Sequence, residues 1–436
     1  LGGRILYASI MTLFLLLYFQ QFRNDYLERL RTVMFVTCLY LIFPLITYAL
    51  VQHKLMNVLV IPYCILPIFL RIFLDSRTAF VTHIITLFTC AIALSNPFEF
   101  LVIQAFAGLT ASYSLRQLTQ RSDLFTTVVL VIISTYATHF CLDLIDGLFF
   151  EGKAIEVWDY IYLGIAGILS TISYLLIFAI ERLFGFTSNV TLVELSNINN
   201  QILRRLCEEA PGTFQHTMQV ANLAAEVANH IGAKSQLVRT GALYHDIGKL
   251  ENPVFFTENQ TGVNPHEGLS LEESAQIIIG HVRDGLRLAE KHKLPKVIMD
   301  FICTHHGKSM AKYFYISYKN QFPDKEIDET LFTYPGPNPA TTEQAILMMA
   351  DGVEAASRSL PSYTEESISA LVDKIIDGQI REGYFNQCPI TFLDIQAAKE
   401  VFKSKLKTIY HTRISYPELK PAAEEAPKKK KRKLKF

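Results

Sequence analysis

The stretch GALYHDIGKL, residues 241–250, places His245 directly beside Asp246 in a segment with helical character. Imidazole and carboxylate groups suit divalent zinc, iron, nickel and manganese, and a carboxylate can bridge two ions. Because a single His-Asp pair is common by chance, its meaning depends on the side chains that the neighbouring segments contribute.

Four further strings carry such side chains on successive predicted helices: GTFQHTMQVAN (212–222), IIIGHVRDG (277–285), FICTHHGKS (301–309) and LMMADGVEA (347–355). Together the strings supply seven candidate metal ligands: His216, His245, Asp246, His281, His305, His306 and Asp351. We expect both adjacent pairs, His245-Asp246 and His305-His306, to lie on helices. Two ions about 3.5–4 Å apart can clamp and attack a phosphoester. The joint order therefore predicts a binuclear metal site that hydrolyses a phosphoester.

The half of the chain around these strings shows helical periodicity without convincing alternating strands. The predicted helix signals are Thr213 as an N-cap with Gly232 as the stop, and the capping boxes Ser270/Glu273 and Thr341/Gln344. Segments 251–269 and 320–341 are predicted loops long enough to border a site. We expect an all-α domain.

The first 180 residues contain seven apolar stretches, each near the roughly 20 residues that cross a bilayer. They cover about 5–21, 33–51, 55–74, 78–94, 100–115, 124–150 and 161–180. The sequence thus predicts a seven-span, multi-pass membrane domain in a lipid bilayer.

Positive residues in the short connections indicate the orientation, because such loops are retained in the cytoplasm. The first, third and fifth connections hold Arg23, Arg29, Arg31, Arg71, Arg77, Arg116 and Arg121, whereas the even ones hold only Lys54 and Lys153. This bias predicts that the N-terminus lies outside and that everything after residue 180 is cytoplasmic.

Four ionisable side chains, His83, His139, Asp143 and Asp146, fall within or near the predicted spans. Such groups are often functional. They do not form the pattern of a transporter site or a proton relay, and we interpret them as packed within the membrane part. We expect an anchor, with sensing as an open second role.

Composition excludes several classes of protein. The chain has 41 basic and 41 acidic side chains and is 50% hydrophobic, unlike a disordered chain or a simple basic nucleic-acid binder. Its seven cysteines are scattered without C-x-x-C spacing, so neither a disulfide framework nor a cysteine zinc site is indicated. The start, Leu-Gly-Gly, lacks a methionine, and we expect a fragment of a longer protein.

Between the two halves, residues 188–207 predict a single linker helix with apolar positions three and four apart. That helix either transmits a signal from the membrane or, as we favour, packs on the soluble domain. We divide the chain into a membrane domain (1–180), a linker (181–210), a helical hydrolase domain (211–415) and a disordered basic tail (416–436). The tail either binds anionic lipid or, as we favour, stays solvated.

The order H…HD…H…HH…D, with the string YHDIGK, resembles the HD-domain metal-dependent phosphohydrolases. More specifically, residues 181–410 resemble the cytoplasmic domain of the bacterial seven-transmembrane HD receptors, the PgpH-type cyclic di-AMP phosphodiesterases. The matching strings include EAPGTFQHTMQVANLA, ENQTGVNPHEGLS, THHG, KYFY and MADGVEAASR. The preceding seven apolar stretches extend the resemblance to nearly the whole chain.

This resemblance implies an enzyme of the inner (cytoplasmic) membrane that opens cyclic di-AMP to linear pApA with a hydroxide that bridges two metals. It implies two divalent ions, manganese or iron, with Asp246 as the catalytic bridge. One ion would take His216, His245 and Asp351, and the other His281, His305 and His306. Family members carry a large extracellular domain ahead of the membrane part, so an upstream sensor is expected to be missing from this chain.

The remaining candidate site residues have two interpretations each. Lys249, also a predicted catalytic residue, either offsets phosphate charge or is an exposed lysine at a helix end. Asn264 and His266 border the nucleotide or form a turn. Tyr313, with Phe314 and Tyr315, stacks on adenine or belongs to the core.

Alternative functions are cleavage of cyclic di-GMP or guanosine tetraphosphate, a catalytically silent receptor, and a transporter with a regulatory domain. The GYP signature of the cyclic di-GMP class is absent after His306, where the chain runs GKSMAKYFY. A silent receptor would be expected to have lost at least one of the seven ligands. No nucleic-acid partner is expected, and a homodimer is left open.

Overall fold

The computed structural model describes residues 2–115, 121–146, 156–262 and 264–410. Within these ranges the chain is helical and forms no strand; Met310 and Thr333 make one isolated bridge. The all-α prediction is therefore confirmed. The predicted tail 416–436, together with Arg116 and Lys153, lies outside the described residues.

The first part of the chain is a bundle of apolar helices. Their bounds are α1 (Gly2–Phe22), α2 (Asn24–Leu27), α3 (Leu30–His53), α4 (Ile65–Phe73), α5 (Ser76–Ala91), α6 (Pro97–Ser114), α7 (Arg121–Ile145), α8 (Val157–Ser170) and α9 (Ser173–Phe184). Large apolar side chains such as Leu6, Leu45 and Ile133 point outward. An apolar exterior of this kind suits lipid rather than water.

The seven-span count stays a prediction. In the described residues α1, α3 and α7 are long and apolar enough to cross a membrane, and α8 with α9 forms a fourth candidate bent by 45°. The third predicted stretch, 55–74, is broken: a 3₁₀ turn (Val58–Val60) and Pro62 precede α4, which has only 9 residues. Hydropathy alone does not register such a break.

The predicted single helix 188–207 is wrong. The chain forms α10 (Asn189–Leu195) and α11 (Gln201–Glu209), with a polar connection between them. The Asn200 side chain accepts a hydrogen bond from the backbone N–H of Ile202 and starts the second helix. Asparagine and serine side chains compete with helical hydrogen bonds, which explains the break at the run Ser-Asn-Ile-Asn-Asn. Helix α10 packs on the next domain, where the Tyr244 hydroxyl donates to Leu195 O at 2.8 Å.

The second part contains α12 (Pro211–Ile231), α13 (Ser235–Tyr244), α14 (Leu271–Lys291), α15 (Lys296–Thr304), α16 (Lys312–Gln321), α17 (Thr342–Ser357), α18 (Glu365–Arg381) and α19 (Phe392–Ile409). Its core is a buried apolar cluster contributed by most of these helices. Short 3₁₀ turns occupy 247–259 and 329–332. Helix α12 lies against α13, α17 and α19 and so holds one ligand string at the centre.

The predicted helix starts have mixed outcomes. Both capping boxes form, Ser270 with Glu273 and Thr341 with Gln344. Gly232 ends α12 in the left-handed conformation at φ 77°. Thr213 is not the N-cap, because α12 begins at Pro211; the Thr213 backbone N–H donates instead to Asn259 Oδ1 at 3.1 Å.

Candidate metal centre

The seven predicted ligands come from five places in the fold. His216 lies on α12, His281 on α14 and Asp351 on α17. The two adjacent pairs are not on helices as predicted: α13 ends at Tyr244 and α15 at Thr304, so each pair follows a helix C-terminus. The 3₁₀ turn after Asp246 passes so close to α14 that a Cβ on Gly248 would lie 1.8 Å from His281 O. Only glycine allows this approach.

Outer hydrogen bonds orient the histidine rings. The Nδ1 atoms of His245, His281 and His305 lie 2.6, 2.6 and 2.8 Å from the backbone carbonyls of Ala242, Ile278 and Ile302. A carbonyl oxygen can only accept, so each Nδ1 carries the proton. In the neutral form of each ring, Nε2 is then left with a lone pair, which is the state of a metal-binding imidazole.

His216 is oriented by a carboxylate. Its Nδ1 contacts Oε2 of Glu354, a fully buried residue, while Nε2 faces Asp351 Oδ1 at 2.9 Å. The other Glu354 oxygen, Oε1, accepts from Arg358 Nε and Nη2 at 2.8 and 2.7 Å. Carboxylate–histidine pairs of this kind fix ring orientation around metals.

Asp246 lies between two groups of histidines. Its Oδ2 is 3.3 Å from His245 Nε2 and 3.7 Å from His216 Nε2. Its Oδ1 is 3.3 Å from His281 Nε2 and 3.7 Å from His305 Nε2. Each carboxylate oxygen therefore faces one group, as a bridge between two ions requires.

The polar atoms at the centre point to a cation. His245 Nε2 and Asp246 Oδ1 are buried without a hydrogen-bond partner. The lone pairs of His281 Nε2 and His305 Nε2 face each other at 3.1 Å. Buried lone pairs and charges are costly unless something compensates them, and a bound cation does so. The donor set thus fits divalent metal ions.

Charge states support the same fit. Burial lowers the pKa of His281 and of His305, and it lowers the pKa of His306 to about 3, so these rings are neutral. Burial opposes ionisation of Asp246, but the positive groups around it, His245 and Lys249 first, hold its pKa well below the usual range. Burial disfavours a proton on the other two rings, but Asp246 and Asp351 outweigh it and raise the pKa of His245 to about 10, and Asp351 and Glu354 raise the pKa of His216. A bound cation would take the place of the proton on these two rings.

The two remaining ligands lie at the rim. Asp351 Oδ1 is 3.7 Å from His245 Nε2, and Asp351 Oδ2 is 3.9 Å from His306 Nδ1. The His306 ring lies 4.2 Å, centroid to centroid, from the buried ring of Tyr334. Two sets of atoms, His216/His245/Asp246 and His281/His305/His306, are each compact enough to hold an ion.

Lys249 is not an exposed helix-end lysine. Its Nζ lies 2.8 Å from Asp246 Oδ2 and 2.7 Å from Glu258 Oε1, and its pKa is raised, because these two carboxylates outweigh the effect of burial. It also lies 5.0 Å from the centre of the Phe256 ring. The ammonium group therefore holds the Asp246 carboxylate in place.

The three candidate substrate residues differ in their surroundings. Asn264 is exposed, and its side chain accepts the His266 backbone N–H at 3.1 Å in a turn. His266 Nε2 lies 3.0 Å from Phe255 O, and the ring contacts Phe314. Tyr313 is 76% exposed on α16, so it is not a core residue. None of the three is among the grouped metal-binding atoms.

Sequence reasoning missed Glu354, Glu258 and Tyr334. Glu354 follows Asp351 by three residues on α17 and so shares its helix face, a spacing that the sequence contains. Glu258 and Tyr334 come from the two predicted loops, which do border the centre. Nothing local in those loops marks them, because their proximity arises from tertiary packing.

Known proteins share both parts of this architecture. Residues 1–188 match the family described as 7TM receptor with intracellular HD hydrolase, and residues 213–356 match the HD domain. The cyclic-di-AMP phosphodiesterase PgpH of Listeria monocytogenes is 32% identical over 426 residues, 96% of this chain. This chain belongs to the 7TM receptors with an intracellular HD hydrolase. It is thus a membrane-anchored family member, and the candidate metal centre lies in the part of the chain that matches the HD domain.

Two further relatives match about half of this family member. The Bacillus subtilis cyclic-di-AMP phosphodiesterase PgpH is 42% identical over 239 residues, 55% of this chain. The chain spans 59% of the length of the Listeria protein and 33% of that of the Bacillus protein. A crystal structure of the Listeria PgpH HD domain in complex with cyclic di-AMP is 41% identical in sequence, with a TM-score of 0.47. The match covers 49% of this chain and 100% of the crystallised HD domain.

Proposed function

We propose that this chain is a membrane-anchored phosphodiesterase that hydrolyses cyclic di-AMP to linear pApA at a binuclear metal centre. The observation that carries the proposal is the buried Asp246 carboxylate, whose two oxygens face separate groups of histidines. Two relatives, 32% and 42% identical, are named as cyclic-di-AMP phosphodiesterases, which supports the choice of substrate. The missing GYP signature argues in the same direction.

The proposed ligand sets follow the two groups. His216, His245 and Asp351 hold one ion, His281, His305 and His306 hold the other, and Asp246 is shared. The mixed imidazole and carboxylate donors suit manganese or iron. The outer bonds to backbone carbonyls support this assignment, because they leave Nε2 of His245, His281 and His305 free for a metal, and the Glu354 contact orients the His216 ring.

Two bound ions would polarise the phosphodiester and activate water for attack on phosphorus. The protein residues set up this reaction. Lys249 keeps Asp246 ionised and positioned, and Glu258 holds the other side of the Lys249 ammonium group. Apolar side chains beside the centre limit the access of water to it. Among them is Phe256, whose ring centroid lies 5.8 Å from that of His281.

The substrate contacts proposed are Asn264, His266 and Tyr313. Segment 251–269 contacts the centre through Phe256 and Glu258. The exposed turn at Asn264 belongs to the same segment, which supports its place near the substrate. His266 joins this loop to α16 through its contact with Phe314. The neighbouring Tyr313 ring is exposed and available for stacking on a base.

The domain division and topology are part of the proposal. The membrane domain (1–180) anchors the linker (181–210) and the HD domain (211–415), which lies in the cytoplasm with the N-terminus outside. The arginine bias of the odd connections supports this orientation. An upstream extracellular sensor domain belongs to the proposed full-length protein, and a homodimer stays an open alternative.

The test uses the full chain in detergent, reloaded with Mn²⁺. We expect the unmodified chain to convert cyclic di-AMP to pApA, and chromatography of the products measures this conversion. Asp246→Ala should lose about two bound ions and should lose turnover. Asp284→Asn, on α14 outside the ligand set, is the control. Full turnover by Asp246→Ala would refute the mechanism, and selective turnover of cyclic di-GMP would refute the substrate assignment.

A further inference from the structure

A second polar cluster lies in the membrane part, away from the proposed hydrolytic centre. Glu99 is in the first turn of α6, Asp159 is in the first turn of α8, and His139 is near the C-terminal end of α7. One ligand atom from each of the three lies within 4.8 Å of the others. Three helix ends thus converge on one imidazole and two carboxylates.

The imidazole at the centre of this cluster is buried without a hydrogen bond. His139 is 2% exposed, and neither of its ring nitrogens has a hydrogen-bond partner among the described residues. Nδ1 lies 3.1 Å from Glu99 Oε1, within ion-pair distance, but the two atoms do not have the alignment of a hydrogen bond. A buried donor or acceptor without a partner is costly, so the ring points to a ligand that takes up its lone pair.

The charges around His139 are predominantly negative. Asp143 lies one turn further along α7 and accepts a hydrogen bond from the Tyr160 hydroxyl at 2.7 Å. Asn57 Nδ2 donates to Asp159 Oδ1 at 3.0 Å. Across the described ranges, no lysine or arginine pairs with Glu99, Asp143 or Asp159. A divalent cation would offset this charge, while Tyr160 and Asn57 orient the carboxylates.

We propose that Glu99, His139 and Asp159 bind a divalent transition-metal ion, separate from the ions of the HD domain. One imidazole with two carboxylates suits zinc, manganese or iron, and a site without cysteine does not favour soft ions such as Cu(I). The site ties α6, α7 and α8 together at one end of the bundle. An ion there couples the relative positions of these helices to metal supply.

The ion has a route from water. The Glu99 side chain is 39% exposed, whereas His139 is buried behind it. In the sequence Asn57, Glu99 and Asp159 lie at or next to the second, fourth and sixth connections, and in the structure the three side chains lie close together. In the proposed topology these connections lie outside, so the site answers to extracytoplasmic metal.

The experiment compares Zn²⁺ content in full-length protein stripped with EDTA, reloaded with Zn²⁺ and desalted. We expect Glu99→Gln/Asp159→Asn to hold one zinc ion fewer per chain than the unmodified protein, with cyclic di-AMP hydrolysis unchanged. The matched control, Asp25→Asn/Glu28→Gln, changes two exposed acids near α2 and should keep all the zinc.

A second variant keeps the test decisive should the double amide variant not fold. Glu99→Asp retains the charge but withdraws the carboxylate by one methylene, and it should weaken Zn²⁺ binding at this site at least about tenfold in a competition titration. Equal zinc content in the folded double variant, or equal affinity in Glu99→Asp, would overturn the proposal and leave an ion pair between His139 and Glu99.

Discussion

Glu354 offers the sharpest test of how the metal centre is supported, because it contacts a proposed ligand without being one. Its Oε2 meets His216 Nδ1, and its Oε1 accepts two hydrogen bonds from Arg358. Glu354→Gln keeps the shape but leaves one oxygen where two acceptors are needed. Either the His216 bond or the Arg358 pair is therefore lost.

The expected magnitude follows from that count of acceptors. Loss of an outer partner of a metal-bound histidine weakens metal binding by about 10–100-fold, or roughly 1.4–2.7 kcal/mol. An unpaired NH₂ group facing the Arg358 guanidinium adds a stability cost of about 1–3 kcal/mol, since Glu354 is fully buried. The main effect should therefore appear as a raised Mn²⁺ requirement.

The assay is cyclic di-AMP hydrolysis by the full chain at a series of free Mn²⁺ concentrations. Glu354→Gln should need about 10–100 times more Mn²⁺ for half-maximal rate and should regain most of the rate at saturation. Glu343→Gln is the control, because it makes the same exchange in the first turn of α17, away from the centre. An unchanged Mn²⁺ requirement in folded Glu354→Gln would refute the reasoning.

Two more predictions concern the backbone and the ions themselves. Gly248→Ala should reduce hydrolysis at least about tenfold, because its Cβ would lie 1.8 Å from His281 O. Gly280→Ala, next to His281, should be tolerated, because its Cβ would meet only the Arg283 side chain, at 3.8 Å; equal rates of the two variants in steady-state assays would contradict this. Removal of the ions with EDTA should lower the melting temperature of the full chain, since metal at 100 times its Kd stabilises by about 2.7 kcal/mol. Identical melting curves with and without bound Mn²⁺, checked by elemental analysis, would show that the ions do not stabilise the fold.

The sequence predicted the helical class well, because helix signals are local. The capping boxes at Ser270 and Thr341 form as expected, since each depends only on side chains three residues apart. The linker failed for a local reason of another kind: its apolar spacing is helical, but Asn200 caps a new helix. Periodicity describes a helix face and does not register a polar break.

The candidate site was predictable in composition but not in arrangement. The residue types and their order pointed to seven ligands, and the structure brings those side chains together. Their positions after the ends of α13 and α15, and the support from Glu354, Glu258 and Tyr334, depend on contacts between distant segments. His139 shows the same limit: alone in the sequence it looked like a packed histidine.

The sequence by itself determined that this protein has an apolar helical half and a helical half with histidines and aspartates in an order suited to metal. Those properties follow from the chemistry of the side chains and from short-range periodicity, both of which are local properties of the sequence. Only the tertiary structure decided that Asp246 faces two histidine groups and that Glu99, His139 and Asp159 meet. Distances between segments far apart in the chain are set by packing. The start of α11 after Asn200 and the end of α13 at Tyr244 also change the directions of the following side chains, and no local sequence pattern predicts those directions.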